Sequence, residues 1–259
     1  MTLDPAFLTT PIAHRGYHDA KEGRIENSAS AARAAIGAGY GIEIDLQLSQ
    51  DGQSMVFHDY SLKRLTGRDG TVQTTHSDDL RATCLTGSRD TIPTLTEFLE
   101  LVAGRVPLLI ELKDQDGAMG PNVGTLEEAT VQALSGYKGP VALMSFNPHS
   151  VAKLGELAPG IPRGLTTESW SDLHAGLIPR PRRDTLLAIA DYDRVGACFI
   201  SHEAADLSRP RVRELREKGA HILCWTIRST EDEVEARKIA DNITFEGYAA
   251  LHPAQNSYA

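Results

Sequence analysis

The stretch GIEIDLQLSQDGQSMVFHD, residues 41–59, carries the clearest strand pattern of the chain and decides the fold. Isoleucine and leucine alternate with Glu43 and Asp45, so the apolar side chains share one face of a strand and the two acids share the other. An Asp-Gly turn follows at 51–52, and a second apolar run leads to His58. The stretch predicts a strand that continues into a hairpin, with two carboxylates on one side of the sheet.

Similar apolar runs recur along the whole chain, with helical patterns between them. The strand candidates are 11–15, 41–48, 107–113, 141–145, 162–166, 197–201, 220–226 and 242–246. The helix candidates are 27–38, 94–103, 125–136, 148–157, 183–191, 208–218 and 230–240. Eight strands alternating with helices predict an α/β protein with a parallel (β/α)8 TIM-type barrel. A doubly wound open sheet competes, but it usually carries a glycine-rich phosphate loop, and neither G-x-G-x-x-G nor G-x-x-x-x-G-K-[ST] occurs.

Residues 49–93 interrupt the alternation of strands and helices. This stretch contains the turn dipeptides Asp51-Gly52 and Asp69-Gly70, which favour a small hairpin or an extended excursion. No linker or change of composition divides the rest of the chain. We therefore expect one barrel domain over residues 1–259, with a small insertion after the second strand.

Composition limits the partners of this protein. The chain has 259 residues and a formal net charge of −9, which disfavours binding to nucleic acid or to an anionic lipid surface. The N-terminal MTLDPAFLTTPIAHRG shows neither a signal peptide nor a membrane-spanning run, and the three cysteines have no disulfide or zinc-ligand spacing. We expect a cytoplasmic protein without stable membrane insertion, and no pattern indicates an oligomeric state.

Three acids are candidate metal ligands. Glu43 and Asp45 interrupt an apolar strand, and Glu111 ends the buried run of PLLIELK, residues 107–113. Charged side chains are rarely buried without partners, and carboxylates are the preferred ligands of Mg²⁺ and Ca²⁺. The alternative is that these acids are exposed or paired with arginine. The strand positions favour one bound divalent cation, Mg²⁺ or Ca²⁺.

Two histidines are candidate catalytic groups. His14 lies in IAHRG, residues 12–16, and His58 follows the acidic pair within the reach of one hairpin. A pair of imidazoles can remove a proton from a nucleophile and give one to a leaving alkoxide. A single histidine at a strand end is usually structural, and the other seven histidines have no comparable neighbours.

Cations and an aromatic residue accompany these groups. Arg15 and Lys113 can bind the oxygens of a phosphate ester, or they can simply neutralise the acids. Trp225, at the end of a strand-like run, either walls the pocket or packs in the core. Glu26 is a candidate for orienting the site, and Asn27 or Ser28 is a candidate helix cap.

Together these motifs resemble the glycerophosphodiester phosphodiesterase family. The matching pieces are AHRG (13–16), the Glu-Asn pair (26–27), IEIDLQLSQDG (42–52), VFHDYSLKRLTG (56–67), IPTLTEFLEL (92–101), LLIELK (108–113) and CWTI (224–227). They occur in the order and at the spacing of the family, over nearly the whole chain. An HRG motif alone would be weak evidence, whereas the full combination is highly specific.

The resemblance implies a (β/α)8 barrel with the insertion at 49–93, and a metal-dependent hydrolysis of glycerophosphodiesters such as glycerophosphocholine to sn-glycerol 3-phosphate and an alcohol. The residues that it implies are the metal ligands Glu43, Asp45 and Glu111, the acid/base pair His14 and His58, and the substrate-binding residues Arg15, Lys113 and Trp225. Two positions depart from the family pattern. Ile25 stands where proline usually precedes the Glu-Asn pair, and Glu246 stands where aspartate is common.

Two other functions remain open at this point. A related barrel phosphodiesterase, of lysophospholipase D or phosphoinositide type, would favour an exposed apolar rim or basic docking residues, and neither is evident. A non-catalytic binder of phosphate metabolites would not need paired histidines, and both are present. The sequence does not distinguish water from an adjacent substrate hydroxyl as the nucleophile.

Overall fold

Eight parallel strands close into a barrel in the computed structural model, which describes residues 2–170 and 178–253. The strands are β1 (Ile12–Ala13), β2 (Gly41–Leu48), β3 (Ser54–Val56), β4 (Leu108–Leu112), β5 (Val141–Ser145), β6 (Arg163–Thr167), β7 (Phe199–Glu203), β8 (His221–Ile227) and β9 (Asn242–Phe245). All except β3 pair in parallel with their neighbours, and β1 pairs with both β2 and β9. The predicted (β/α)8 barrel is confirmed.

Helices alternate with these strands, at nearly the positions that the sequence predicts. Those of the described residues are α1 (Ala6–Thr9), α2 (Ala29–Ala38), α3 (Lys63–Thr66), α4 (Ser77–Arg81), α5 (Leu95–Val102), α6 (Thr125–Ala133), α7 (Pro148–Leu157), α8 (Arg180–Leu187), α9 (Pro210–Glu217) and α10 (Thr230–Ala236). The largest shift is at α8, which begins before the predicted 183–191. Within the described residues, none of these helices has both the length and the apolar character needed to cross a bilayer.

The two faces of β2 separate the apolar core from the polar interior. Ile42, Ile44 and Leu46 are fully buried in the core between barrel and helices. The residues between them point into the barrel, which gives the two-face pattern predicted for 41–48.

The lower part of the barrel interior is apolar and closed. Its buried cluster comprises Leu3, Phe7, Ile12, Leu109, Ala142, Met144, Phe199 and Leu223. Helix α1 places Phe7 in this layer, and the amide of Asn242 donates to the carbonyls of Phe7 (2.7 Å) and Thr10 (2.6 Å). This layer closes the barrel below the candidate site, and its buried amide at Asn242 is satisfied by two backbone carbonyls.

The insertion after β2 begins as the predicted hairpin. Strand β3 runs antiparallel to β2, with Leu46 opposite Val56. Two short helices that the sequence did not predict, α3 and α4, follow it. The insertion packs against Ile25 in a small separate core, whose other members are Met55, Phe57, Leu62, Val72, Leu80, Leu85 and Ile92. This packing holds the loop after β3 against the mouth of the barrel.

Candidate active site

Three carboxylates meet inside the barrel. Strands β2 and β4 are parallel neighbours, and their register places Asp45 beside Glu111 and Glu43 beside Leu109. All three acids are at least 95% buried, and one oxygen of each lies within 4.8 Å of the others. The predicted convergence of these acids is therefore present.

The electrostatics of this cluster show that negative charge is in excess at Glu43. Burial, followed by the negative charges of Asp45 and Glu111, holds the pKa of Glu43 well above its ordinary value. Burial acts in the same direction on Asp45, but Lys113, His58 and Arg15 outweigh it and hold the pKa of Asp45 below its ordinary value. Three buried oxygens with this unbalanced charge fit a hard divalent cation.

Two cations lie against the acids. The ammonium of Lys113 donates to Oε1 of Glu111 at 2.6 Å and lies 3.4 Å from Oδ1 of Asp45. The guanidinium of Arg15 lies 3.2 Å from Oδ2 of Asp45, and its backbone N–H donates to Oε2 of Glu43 at 2.9 Å. Burial lowers the pKa of Lys113, but the charges of Glu111 and Asp45 more than offset it, so Lys113 stays protonated.

Both candidate catalytic histidines are oriented by a carboxylate. Nδ1 of His14 donates to Oε2 of Glu246 at 2.5 Å, and Nδ1 of His58 donates to Oδ1 of Asp59 at 2.7 Å. A carboxylate only accepts, so it selects the tautomer with the proton on Nδ1 and leaves Nε2 available. Nε2 of His14 lies 4.0 Å from Oε2 of Glu43, toward the acids.

The eight site residues predicted from the sequence all line one cavity, of about 60 Å³. They are His14, Arg15, Glu43, Asp45, His58, Glu111, Lys113 and Trp225. Trp225 forms a wall: its indole N–H donates to the carbonyl of Ser201 at 3.0 Å, and its ring packs edge-on against Phe146 at 5.6 Å. The prediction that Trp225 walls the pocket is thus favoured over core packing.

A tight turn after β1 positions His14 and Arg15. Arg15 has φ +54° and Gly16 has φ +80°, both in the left-handed region. A Cβ atom at Gly16 would lie 2.9 Å from the Cβ of Ala31 on α2, closer than side chains pack. Glycine is therefore required at this position, both by the backbone conformation and by the close approach of the helix.

Asn27 has a role that sequence reasoning missed. Its side-chain amide donates to Oδ2 of Asp45 at 2.9 Å and its Oδ1 accepts from the backbone N–H of Asp45 at 3.2 Å. Of the two predicted cap candidates, Ser28 caps α2, and its hydroxyl accepts from the N–H of Ala31. The adjacent serine was the available signal, because a second good cap leaves asparagine free for another task.

An ion-pair network joins the two sides of the site. Glu26 accepts from Arg15 at 2.7 Å and from both terminal nitrogens of Arg64 at 2.8 Å. Arg64 also donates to both oxygens of Asp59, the partner of His58. Glu26 thus orients the site as the sequence suggested, whereas the part played by Arg64, on the insertion, was not foreseen.

Glu26→Gln is expected to lower the free energy of unfolding at pH 7 by about 1.5–3 kcal/mol, the range for hydrogen bonds to charged groups. Burial raises the pKa of Glu26, but the hydrogen bonds from Arg64 and the charge of Arg15 lower it below the ordinary 4.5. The stabilisation by Glu26 is therefore fully present above the ordinary pKa of 4.5, and it is lost as the pH falls through the lowered pKa of the folded protein. Urea denaturation from pH 7 to pH 3 measures the effect.

The matched control for this variant is Glu100→Gln, an exposed glutamate on α5. It should change the free energy of unfolding by less than about 0.5 kcal/mol at every pH. A deficit in Glu26→Gln that is the same at pH 3 and pH 7 would contradict the assigned role of the Glu26 charge.

Sequence comparisons find one protein family and several relatives that match this chain. The Glycerophosphoryl diester phosphodiesterase family matches residues 14–242. YhdW of Bacillus subtilis (strain 168) is 28% identical over 227 residues, which cover 83% of this chain and 85% of that protein. The glycerophosphodiester phosphodiesterase of Caldanaerobacter subterraneus is 32% identical over 167 residues, or 61% of this chain and 66% of that protein.

Solved structures share the fold. A phosphodiesterase of Oleispira antarctica, in complex with the product sn-glycerol-3-phosphate, superposes with a TM-score of 0.76 at 23% identity, covering 93% of this chain and 94% of that one. A glycerophosphodiester phosphodiesterase of Parabacteroides distasonis superposes with a TM-score of 0.73 at 23% identity, covering 92% of each chain. Since the family match spans most of the sequence and begins at a residue of the cavity, this chain belongs to the glycerophosphoryl diester phosphodiesterase family.

Proposed function

We propose that this protein hydrolyses glycerophosphodiesters, such as glycerophosphocholine, to sn-glycerol 3-phosphate and an alcohol. The observation that carries the proposal is one cavity lined by three carboxylates, two cations and two carboxylate-oriented histidines. These are the groups that a phosphodiester needs for charge neutralisation and for proton transfer at both ends of the displacement.

The metal ligands in this proposal are Glu43, Asp45 and Glu111, and the cofactor is one divalent cation, Mg²⁺ or Ca²⁺. The all-oxygen donor set and the raised pKa of Glu43 support this assignment. When bound, such an ion polarises a phosphoryl oxygen and stabilises the negative charge of the transition state. The side-chain amide of Asn27 donates to the carboxylate of Asp45 and accepts from the backbone N–H of Asp45, so one ligand is oriented before an ion arrives.

Arg15 and Lys113 bind the phosphate oxygens. Both are charged at neutral pH and line the cavity, and both are held beside the acids by ion pairs. The planar guanidinium of Arg15 suits two oxygens at once, whereas the ammonium of Lys113 is a point charge. Glu26 accepts a hydrogen bond from the same guanidinium at 2.7 Å and helps to fix its position. Trp225 and Phe146 form the apolar wall against which the carbon atoms of the substrate pack.

His14 and His58 carry the protons. Nε2 of one imidazole accepts the proton of the nucleophile, which is water or the adjacent hydroxyl of the substrate. Nε2 of the other gives a proton to the leaving alkoxide oxygen. Glu246 and Asp59 accept from the Nδ1 atoms, so each carboxylate holds its ring in place and stabilises the imidazolium when it forms.

The test is the release of sn-glycerol 3-phosphate from a panel of glycerophosphodiesters, with and without added Mg²⁺ or Ca²⁺. We expect release from glycerophosphocholine that depends on the metal. Lysophosphatidylcholine is the matched substrate with one acyl chain, and its preferential cleavage would replace the proposal with a lysophospholipase activity. Saturable binding without product from any member of the panel would overturn the assignment as an enzyme.

We also propose a cytoplasmic setting and a small-molecule partner. The three cysteines, Cys84, Cys198 and Cys224, are all free thiols, which is typical of a reducing compartment. The net charge of −9 disfavours nucleic acid, while the substrate cavity itself contains two cations. Fractionation of the native host, with detection of the protein by antibody, tests the compartment.

A further inference from the structure

A second group of possible metal ligands lies beside the proposed catalytic site. His14, His18 and Glu246 each offer one ligand atom, and these atoms all lie within 4.8 Å of one another. His18 has no part in the mechanism proposed above. Its Nε2 is 3.5 Å from Oε2 of Glu246, and this buried nitrogen has no hydrogen bond of good geometry to any described residue.

One carboxylate oxygen of Glu246 faces the imidazoles of both His14 and His18. Arg228 binds Oε1, with its Nε at 2.9 Å and a terminal nitrogen at 2.8 Å. Oε2 is the atom that faces Nδ1 of His14 and Nε2 of His18. The arginine therefore holds the carboxylate in an orientation in which one oxygen and two ring nitrogens converge.

This donor set differs in kind from the three carboxylates. Two imidazole nitrogens and one carboxylate oxygen are ligands for Zn²⁺ and similar borderline ions, whereas Mg²⁺ and Ca²⁺ prefer oxygen alone. Tetrahedral bonds of about 2.0–2.2 Å would separate the three ligand atoms by about 3.3–3.6 Å. The separation of Nε2 of His18 from Oε2 is already 3.5 Å, and the contact of 2.5 Å between His14 and Oε2 would have to widen.

The turn after β1 and the closure of the barrel create this arrangement. The left-handed turn at Arg15 and Gly16 returns His18 to the same side as His14, and the N–H of His18 donates to the carbonyl of Gly16 at 2.9 Å. Glu246 follows β9, which pairs with β1. His18 also lines an open surface cleft of about 500 Å³.

We propose that His14, His18 and Glu246 form a second metal site for an ion of the Zn²⁺ class, and that its occupation inhibits the enzyme. Binding forms a nitrogen–metal bond at Nδ1 of His14, and the proton of that nitrogen moves to Nε2 by exchange with solvent, so the ring stays neutral and Nε2 no longer accepts a proton. The ring of His14 is then fixed by the metal and separated from the carboxylate that orients it. The inhibition rests on the proposed role of His14, whereas the binding does not.

Binding is tested with Co²⁺ as a spectroscopic substitute for Zn²⁺, in saturating Mg²⁺ so that the carboxylate site is occupied. We expect the visible absorption of a low-symmetry cobalt–imidazole site to saturate at one ion per chain, and Zn²⁺ to displace it. His18→Gln should raise the Co²⁺ concentration for half-saturation at least tenfold. His149→Gln, a histidine of α7 outside the cluster, should match the native protein.

Glu111→Gln separates the two metal sites. We expect it to bind Co²⁺ with the native spectrum, and loss of that spectrum would place the ion among the carboxylates and overturn the proposal. Equal Co²⁺ titrations for His18→Gln and the native protein would also overturn it. Thermal unfolding of each variant verifies that it is folded.

Inhibition is tested by the release of sn-glycerol 3-phosphate in fixed Mg²⁺ with increasing Zn²⁺. His18→Gln is expected to keep turnover within twofold of native, and to need at least ten times more Zn²⁺ for half-inhibition. Unchanged Zn²⁺ sensitivity in this variant would overturn the inhibitory role. Failure of hydrolysis in every protein would count against the proposed function alone, because the Co²⁺ titration does not require turnover.

Discussion

His58→Ala is expected to lower turnover of glycerophosphocholine by about 10²–10⁴-fold, the usual contribution of general acid/base catalysis, and His14→Ala should do the same. The two histidines line one cavity, and each has its Nδ1 bound to a carboxylate, so each presents Nε2 for proton transfer. Initial-rate measurements at saturating Mg²⁺ give kcat and KM for each variant.

The separate effects of each substitution on kcat and on KM make this test specific. Loss of proton transfer lowers kcat, while a variant that only misplaces the substrate raises KM. His149→Ala is the control, because this residue lies on α7 outside the cavity, and it should remain within twofold of native. Near-native kcat in both site variants would remove His14 and His58 from the mechanism.

Removal of the divalent ion is expected to abolish turnover, and Glu111→Gln should reduce it by at least about 10²-fold even in excess Mg²⁺. The substitution keeps the size of the side chain but removes one of the three negative charges that converge within 4.8 Å. The concentration of Mg²⁺ that gives half-maximal rate should increase at least tenfold.

Glu127→Gln is the matched control for this experiment. Glu127 is also a buried glutamate, but it accepts from the N–H of Gly124 at the start of α6 and lies outside the carboxylate cluster. The Mg²⁺ concentration that gives half-maximal rate should be the same for Glu127→Gln as for the native protein. Hydrolysis that persists in excess chelator, or native metal dependence in Glu111→Gln, would contradict the metal site.

The sequence alone predicted the fold and the identity of the eight residues that meet in the cavity. Strand periodicity is a local property, so the alternation at Glu43 and Asp45 was enough to place both acids on the inner face of β2. The repeated pattern of strands and helices was enough to indicate the barrel, because parallel strands require helical connections. The spacing of the motifs matched a family over nearly the whole chain.

The tertiary structure decided which groups orient these residues. Glu246 reaches His14 across a separation of 232 residues, and this contact exists only because β9 closes on β1. Arg64 meets Glu26 only when the insertion folds against the barrel mouth, and the local sequence of Arg64 indicates an ordinary surface charge. A sequence pattern determines the direction of a side chain within its own strand or helix, whereas pairing between distant segments depends on register and closure, which no local pattern contains.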